Sequence, residues 1–396
     1  MLYFTRDIEQ QLRTHIDDNK VVVLTGMRRV GKTSLLRELS ATIQNKVWFD
    51  FENPLDVKIF EGVDYNDTYE RIIVHGRLDR NKRVSVFVDE VQLYPEISKI
   101  AKYLYDHYDV KFFLTGSASY YLKNLFPESL AGRKVVFELY PLSFREFVLF
   151  RGGNIARYDQ LRLKKQISLI DCEQFSGLYS EFLRWGGFPE IVLAKDEVTK
   201  RELALDIFSS YYQKEVVQLG DWSKQGLIRD LMVLLAARVG SLVDVTKLSQ
   251  ELGTTRVTLS SYLAFLEATY FISFASRFSK SSDRAVAGLR KVYLCDNGIM
   301  RVIAETTTGM QLENAVYQQL ARRSGEQKIA YYRTERGKEI DFVLGQKELY
   351  EVKRTATKSD VMILKRMQEV VKMKHAVVVS EQYVEEQGGV VFAAFL

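Results

Sequence analysis

The residues with the plainest chemistry form one octapeptide, Gly26-Met27-Arg28-Arg29-Val30-Gly31-Lys32-Thr33. A glycine, four residues and then Gly-Lys-Thr is a pattern that cradles phosphates. Glycines let the backbone wrap an anion without Cβ clashes. The loop N–H groups and the start of the next helix then point at the charge. Lys32 is placed to reach β- and γ-phosphates, and Thr33 to offer its hydroxyl to Mg²⁺. The expected nucleotide contacts are Gly26, Arg29, Gly31, Lys32, Thr33 and Ser34. The competing reading, an ordinary glycine-rich turn, does not require the flanking strand and helix that this sequence supplies.

A second set of groups is expected at the same sheet edge. Val86-Phe87-Val88 would deliver Asp89 and Glu90 to the end of a buried strand, where ligands bind in open α/β sheets. Asp89 would help hold Mg²⁺, and Glu90 would orient and polarise the attacking water. A solvated strand end is the alternative. Ser117 ends another apolar run, with Thr115 nearby. It is read as a contact to water or phosphate, or else as a helix N-cap. Arg133 precedes a fifth strand. It is read as a transition-state clamp acting in cis or from a neighbouring subunit, or else as a surface arginine. Arg28 and Arg29 add positive potential, or pair with acids elsewhere.

Near the C-terminus, Glu339-Ile340-Asp341 and Glu351-Val352-Lys353 lie on two runs joined through Gly345. Two adjacent strands would gather Asp341, Glu351 and Lys353, the last two on one face. Carboxylates so placed are expected to bind a second divalent metal, with the lysine activating water or steadying a phosphate. Glu313, on a helix around Leu312–Arg323, would complete the set. A charged, half-exposed hairpin is the bland alternative.

The elements that must position these groups can be read from periodicity. Strands are expected at Val21–Leu24, Val47–Phe51, Arg83–Val88, Val110–Leu114 and Val135–Leu139, alternating with helices. That is the pattern of an open α/β sheet. From about 145 to 230 the apolar spacing is helical, broken at Gly186-Gly187-Phe188-Pro189. Val245–Leu259 reads as helix–turn–helix, with Arg256, Ser260 and Ser261 on its second helix. That helix carries little basic charge, and phosphate neutralisation needs Lys or Arg. Strands return at 270–274, Val292–Leu294, Ala330–Tyr332, Ile340–Leu344, Leu349–Val352 and Ala376–Val379.

Composition sets outer bounds. The 396 residues exceed one ordinary domain, and 46% hydrophobic with 27% charged residues is the balance of a folded chain. A net charge of +5 is compatible with nucleic acid without demanding it. Cys172 and Cys295 show no metal-ligand or disulfide spacing. With no membrane-length apolar run, the expected location is the cytoplasm and no membrane partner is expected.

GMRRVGKTSLL, VFVDEVQ, FLTGSAS, LAGRKVVFELYPLSFREF and WGGFPE, in this order, resemble the prokaryotic AAA+ P-loop ATPases that carry a C-terminal domain of uncharacterised function. The clade includes archaeal ATPases and STAND-type signalling proteins. The resemblance covers nearly the whole chain, and its motifs are specific as a set. It implies an α/β fold with a P-loop NTPase core (1–145), a helical lid (146–230), a winged-helix module (231–285) and a restriction-endonuclease-like domain (286–396). It places Ser117 at the sensor-1 position, Arg133 at an arginine finger, and Pro189 in a GxP-type motif beside the adenine. The C-terminal pattern resembles the PD-(D/E)xK nucleases, although Glu339-Ile340-Asp341 lacks the proline of that name. The implied function is ATP hydrolysis with Mg²⁺, the nucleotide state controlling a nuclease-like, DNA-contacting module. The alternative is a STAND-like switch between ATP and ADP states that binds a protein partner through an inactive scaffold. A defence-associated ATPase with a nucleotide-gated nuclease is a third form. Oligomers are compatible with all three.

Overall fold

A computed structural model describes residues 3–62, 64–117, 132–217, 225–279, 288–325, 328–334, 337–345, 347–385 and 388–396. Ala118 and Ser119 of the FLTGSAS motif, and Leu130 and Ala131 of LAGRK, lie outside the described residues. The chain divides into two compact units. The first comprises Met1–Tyr140 with Ala268–Tyr270, and the second Pro141–Glu267 with Phe271–Leu396.

The first unit is built on five parallel strands, β1 (Val21–Thr25), β2 (Lys46–Asp50), β3 (Ser85–Asp89), β4 (Lys111–Gly116) and β5 (Lys134–Glu138), in the order β2-β3-β4-β1-β5. The apolar runs anticipated these strands within one or two residues at each end. The three central strands are buried along their whole length, as parallel strands covered on both faces must be. Helices α1 (Glu9–Arg13), α2 (Lys32–Ser40), α3 (Pro54–Phe60), α4 (Tyr65–Gly76) and α5 (Ile97–Tyr108) connect or flank them. One core gathers Val21, Val23, Val86, Val88, Phe112 and Leu114 against Phe60, Ile72, Ile100 and Leu104. All five strands run the same way, so β1, β3 and β4 end together. The loops that follow them form one edge.

The second unit begins with α6 (Phe144–Phe150), α7 (Ile155–Arg162), α8 (Leu169–Trp185), α9 (Pro189–Leu193) and α10 (Glu197–Tyr211). Ser143 and Glu146 form a capping box at the start of α6, so two helix-end donors are satisfied reciprocally. Between α8 and α9 the chain reverses at Gly186-Gly187. Gly186 has φ 71° and caps α8 through its N–H to Phe182 O. A Cβ on Gly186 would strike the Asp296 carboxylate, and one on Gly187 would strike Leu142 O. The buried Asp296 accepts N–H bonds from Gly187 and Gly298 (2.6 and 2.7 Å). Pro189 opens α9 at a position where its missing N–H costs nothing.

Then follow α11 (Gln225–Ala236), β6 (Leu242–Val243), α12 (Val245–Glu251), α13 (Arg256–Ala268), β7 (Ile272–Arg277), β8 (Arg290–Leu294), α14 (Asn297–Ile303), α15 (Thr308–Ser324), β9 (Ile329–Arg333), β10 (Glu339–Leu344), β11 (Glu348–Lys353), α16 (Lys358–Val371), β12 (His375–Ser380) and β13 (Val390–Phe392). The stretch from α11 to β8 runs helix–strand–helix–helix–strand–strand, and the two-residue β6 was not anticipated. Tyr270 has φ 64°, so β7 starts at Ile272 rather than at Tyr270. The eight strands form one sheet, β13-β12-β11-β10-β9-β7-β8-β6. β7 pairs antiparallel with β8 and parallel with β9. Hydrogen bonding therefore runs straight across residue 286, where the sequence suggested a domain boundary.

Candidate functional site

In the first unit the phosphate-loop residues stand where their chemistry requires. Gly26 follows β1 at φ 148°, and a Cβ there would collide with Leu139 O. Gly31 caps α2 in the left-handed region at φ 98°. Arg29 and Glu90 are non-glycine residues with positive φ, 63° and 55°. Such strain persists only where the surroundings impose it, and it concentrates at functional loops. Lys32 and Thr33 are the first two residues of α2, and Ser34 follows in the same turn. The Lys32 ammonium donates to Gly26 O and Met27 O at 2.9 and 3.0 Å. The loop is thus closed around the lysine.

Asp89 ends β3 and meets this loop. The Thr33 hydroxyl donates to one Asp89 oxygen at 2.5 Å, and the Thr115 hydroxyl donates to the other. A hydroxyl and a carboxylate this close are hard oxygen donors that fit Mg²⁺. Glu90 is mostly buried, and burial pushes its carboxyl above the ordinary range against the pull of Lys32 and Arg28. Arg28 reaches Glu90 at 3.5 Å and Glu52 at 3.1 Å. The side chain of Gln92 donates to Glu90 and, at 2.9 Å, to Ser117 Oγ. Ser117 therefore joins the site through Gln92.

Arg133 does not reach this edge within its own chain. The register pairs Val21 with Lys134 and Thr25 with Glu138. The Val21 N–H donates to Arg133 O at 2.8 Å. Arg133 therefore flanks the start of β1, while the phosphate loop follows its end. Five residues of strand span roughly 16 Å. The Arg133 guanidinium instead pairs with Asp106 at 3.1 Å. The strand direction takes Arg133 away from the phosphate loop of its own chain, and its ion pair with Asp106 is that of a surface arginine. Pro189 belongs to the second unit.

Sequence reasoning missed two residues of this site. Gln92 lies two positions beyond Glu90, and its proximity was the available signal. Arg6 donates to Val30 O at 2.7 Å and to Tyr140 O at 2.8 Å. It braces the loop from far away in sequence, and no local pattern announces it.

In the second unit Asp341 on β10, Glu351 and Lys353 on β11, and Glu313 on α15 do converge. An Asp341 oxygen accepts the Val352 N–H at 2.8 Å, and Lys353 pairs with Glu351 at 2.7 Å. Burial together with Asp341 raises Glu351 to about 7. At the centre stands a residue the sequence reading passed over. The Lys291 ammonium, on β8, lies 2.6 Å from Glu339, 3.2 Å from Glu313 and 3.8 Å from Asp341. Its side chain is only 4% exposed. The Tyr293 hydroxyl donates to Glu313 at 2.8 Å. Gly240 backs the same carboxylate, which would lie 2.8 Å from any Cβ there. The signal was available: alternate residues of a strand share a face, so Lys291 and Tyr293 point together.

Nothing in this arrangement supports the second metal expected here, and Lys291 stands among the residues expected to hold it. Among the described residues, no group of three or more His, Cys, Asp or Glu side chains could hold a metal ion. Two unit charges about 4 Å apart interact by ~4 kcal/mol at an effective dielectric near 20. A divalent ion bridging Glu313 and Asp341 would thus meet roughly 8 kcal/mol of repulsion from Lys291, which offsets the attraction of about one of the two carboxylates.

Residues 18–148 match a family model described as an AAA domain. Residues 176–309 and 308–393 match two domains of unknown function (DUF8612 and DUF4143). An uncharacterized protein of Haemophilus influenzae is 28% identical over 347 residues, covering 84% of this chain and 82% of that one. One from Methanocaldococcus jannaschii is 28% identical over 362 residues, covering 88% and 76%. Among solved structures, C. elegans PCH-2 aligns with a TM-score of 0.28 at 16% identity, covering 68% of this chain and 70% of that one. Pif1 helicase from Candida albicans also gives 0.28, at 12% identity over 44% and 48%. Scores this low carry no argument. No described helix is long and apolar enough to cross a membrane.

Proposed function

We propose that this protein binds ATP with Mg²⁺, hydrolyses it, and uses the nucleotide state to control what its second unit presents to a partner. The observation that carries the ATPase reading is the 2.5 Å contact between Thr33 and Asp89, with Lys32 in the loop and Glu90 beside it. Thr33 and Asp89 would hold Mg²⁺, which when bound offsets phosphate charge. Lys32 and the loop amides bind the phosphates. Glu90 takes or orients the proton of the attacking water, and Gln92 fixes Glu90 relative to Ser117. Arg133 is assigned to a neighbouring copy's transition state.

Lys32→Ala should abolish ATP binding in a filter or fluorescence assay. Glu90→Gln should keep binding and retain unhydrolysed ATP. Turnover by Glu90→Gln at the parental rate would remove Glu90 from its assigned role.

For the second unit, the convergence of Asp341, Glu351 and Lys353 supports a nuclease, and the buried Lys291 supports an inactive scaffold. We take the scaffold reading, because the acidic residues already hold a cation of the protein's own. The parent and Asp341→Ala are compared for cleavage of single- and double-stranded DNA with Mg²⁺ or Mn²⁺, with and without ATP. The expected result is no Asp341-dependent cleavage in any condition. Cleavage lost in the variant would restore the nuclease reading.

A further inference from the structure

We infer that Lys291 is the resident cation of the C-terminal acidic cluster, occupying in the folded chain the electrostatic position that a divalent metal would otherwise take. The inference rests on the scaffold reading of the second unit and states what Lys291 does there.

Four observations meet at one ammonium. Lys291 lies within 4 Å of carboxylates from α15 and β10, namely Glu313, Glu339 and Asp341. It is buried, so the charge is shielded from water and must be balanced locally. Its strand holds it in place: β8 lies between β7 and β6, paired with both. The carboxylates are held as well. Glu313 accepts from Tyr293 and abuts Gly240, and Asp341 accepts from the Val352 amide. A metal needs two or more of these oxygens together. Each alternative placement of Lys291 would require β8 to leave its two neighbours or the side chain to abandon its carboxylates.

Lys353 differs in kind. It pairs with Glu351 at 2.7 Å and is more than a third exposed. It could swing aside for an incoming ion. Lys291 is the group that offsets charge on three carboxylates at once. The cluster then works as an ionic clasp joining β8, β10 and α15.

The test is the stoichiometry of Mn²⁺ bound to the full chain, read by electron paramagnetic resonance of free Mn²⁺. The parent, Asp341→Asn, Lys291→Met and the Lys291→Met/Asp341→Asn double variant are compared without nucleotide. The parent and Asp341→Asn should bind equally. Lys291→Met should bind one further ion per chain, and the double variant should lose it. An Asp341-dependent ion in the parent would overturn the inference, as would a folded Lys291→Met with no added ion. Should Lys291→Met fail to fold, parent against Asp341→Asn still decides. Mn²⁺ binding and DNA cleavage are separate readouts. Cleavage overturns the scaffold reading, whereas an Asp341-dependent Mn²⁺ site overturns the role of Lys291.

Discussion

Both units gather carboxylates on sheet elements, yet the two clusters are balanced in opposite ways. At the end of β3, Asp89 is met by two neutral hydroxyls, from Thr33 and Thr115. The nearby Lys32 is engaged with loop carbonyls. That arrangement leaves the carboxylate open to an added cation. On β10, Asp341 shares a buried ammonium with Glu313 and Glu339. That arrangement supplies the cation covalently. Acidic residues on a sheet edge therefore say little about metal binding until their counter-charge is known. A hydroxyl beside the carboxylate is the sign of a ligand-ready site, and a buried lysine the sign of a closed one.

Breaking the second cluster should have the largest effect. Removing one partner of a buried ion cluster strands the others, typically at a cost of about 3–5 kcal/mol. Lys291→Met should lower the unfolding free energy from urea denaturation by an amount in that range, with Mn²⁺ restoring part of it. A change below ~1 kcal/mol would mean that the ammonium contributes little to balancing its neighbours.

A proton should sharpen the contrast next. Glu351 is raised to about 7 from an ordinary 4.5. The folded chain thus holds a proton between those values that the unfolded chain has released. The associated stability is fully present below about 4.5 and is lost as pH rises through 7. Allowing for its coupling to Asp341, the loss is ~2 kcal/mol. Denaturation of the parent at pH 5.5 and 8.5 should show this fall, and Glu351→Gln should flatten it. Equal slopes in both proteins would assign the pH dependence elsewhere.

The smallest effect falls at the first site. Gln92→Ala frees Glu90 from Ser117 without touching the phosphate loop. Turnover should drop about tenfold while ATP affinity changes little, the signature of an interaction that matters after binding. A matching loss of affinity would make Gln92 a structural brace.

The first site was legible because its parts are local. Gly26 to Thr33 is one continuous loop, and Asp89-Glu90 is one strand end, so spacing alone located them. Arg133 shows the limit of that method. Its distance along the chain was known, but only the parallel register of β1 and β5 reveals at which end of the sheet it stands. The C-terminal carboxylates were found because β10 and β11 are neighbours in sequence as well as in space. Lys291 was missed because it arrives on β8, separated from them by two helices and a strand. A search for metal ligands also does not look for lysines. The double glycine at 186–187 was read as a helix break. It is one, but Asp296, more than a hundred residues away, is what excludes a Cβ at Gly186, and the Leu142 backbone is what excludes one at Gly187.

The continuity of the second sheet bears on how this chain could be taken apart. A fragment beginning at residue 286 would lose β7, and with it the partner of both β8 and β9. A fragment ending there would keep β7 but lose β9 and the Lys291 strand. Either cut exposes unpaired strand edges, which are templates for aggregation. Recombinant work and domain exchange between relatives should therefore carry residues from Pro141 through the C-terminus as one piece.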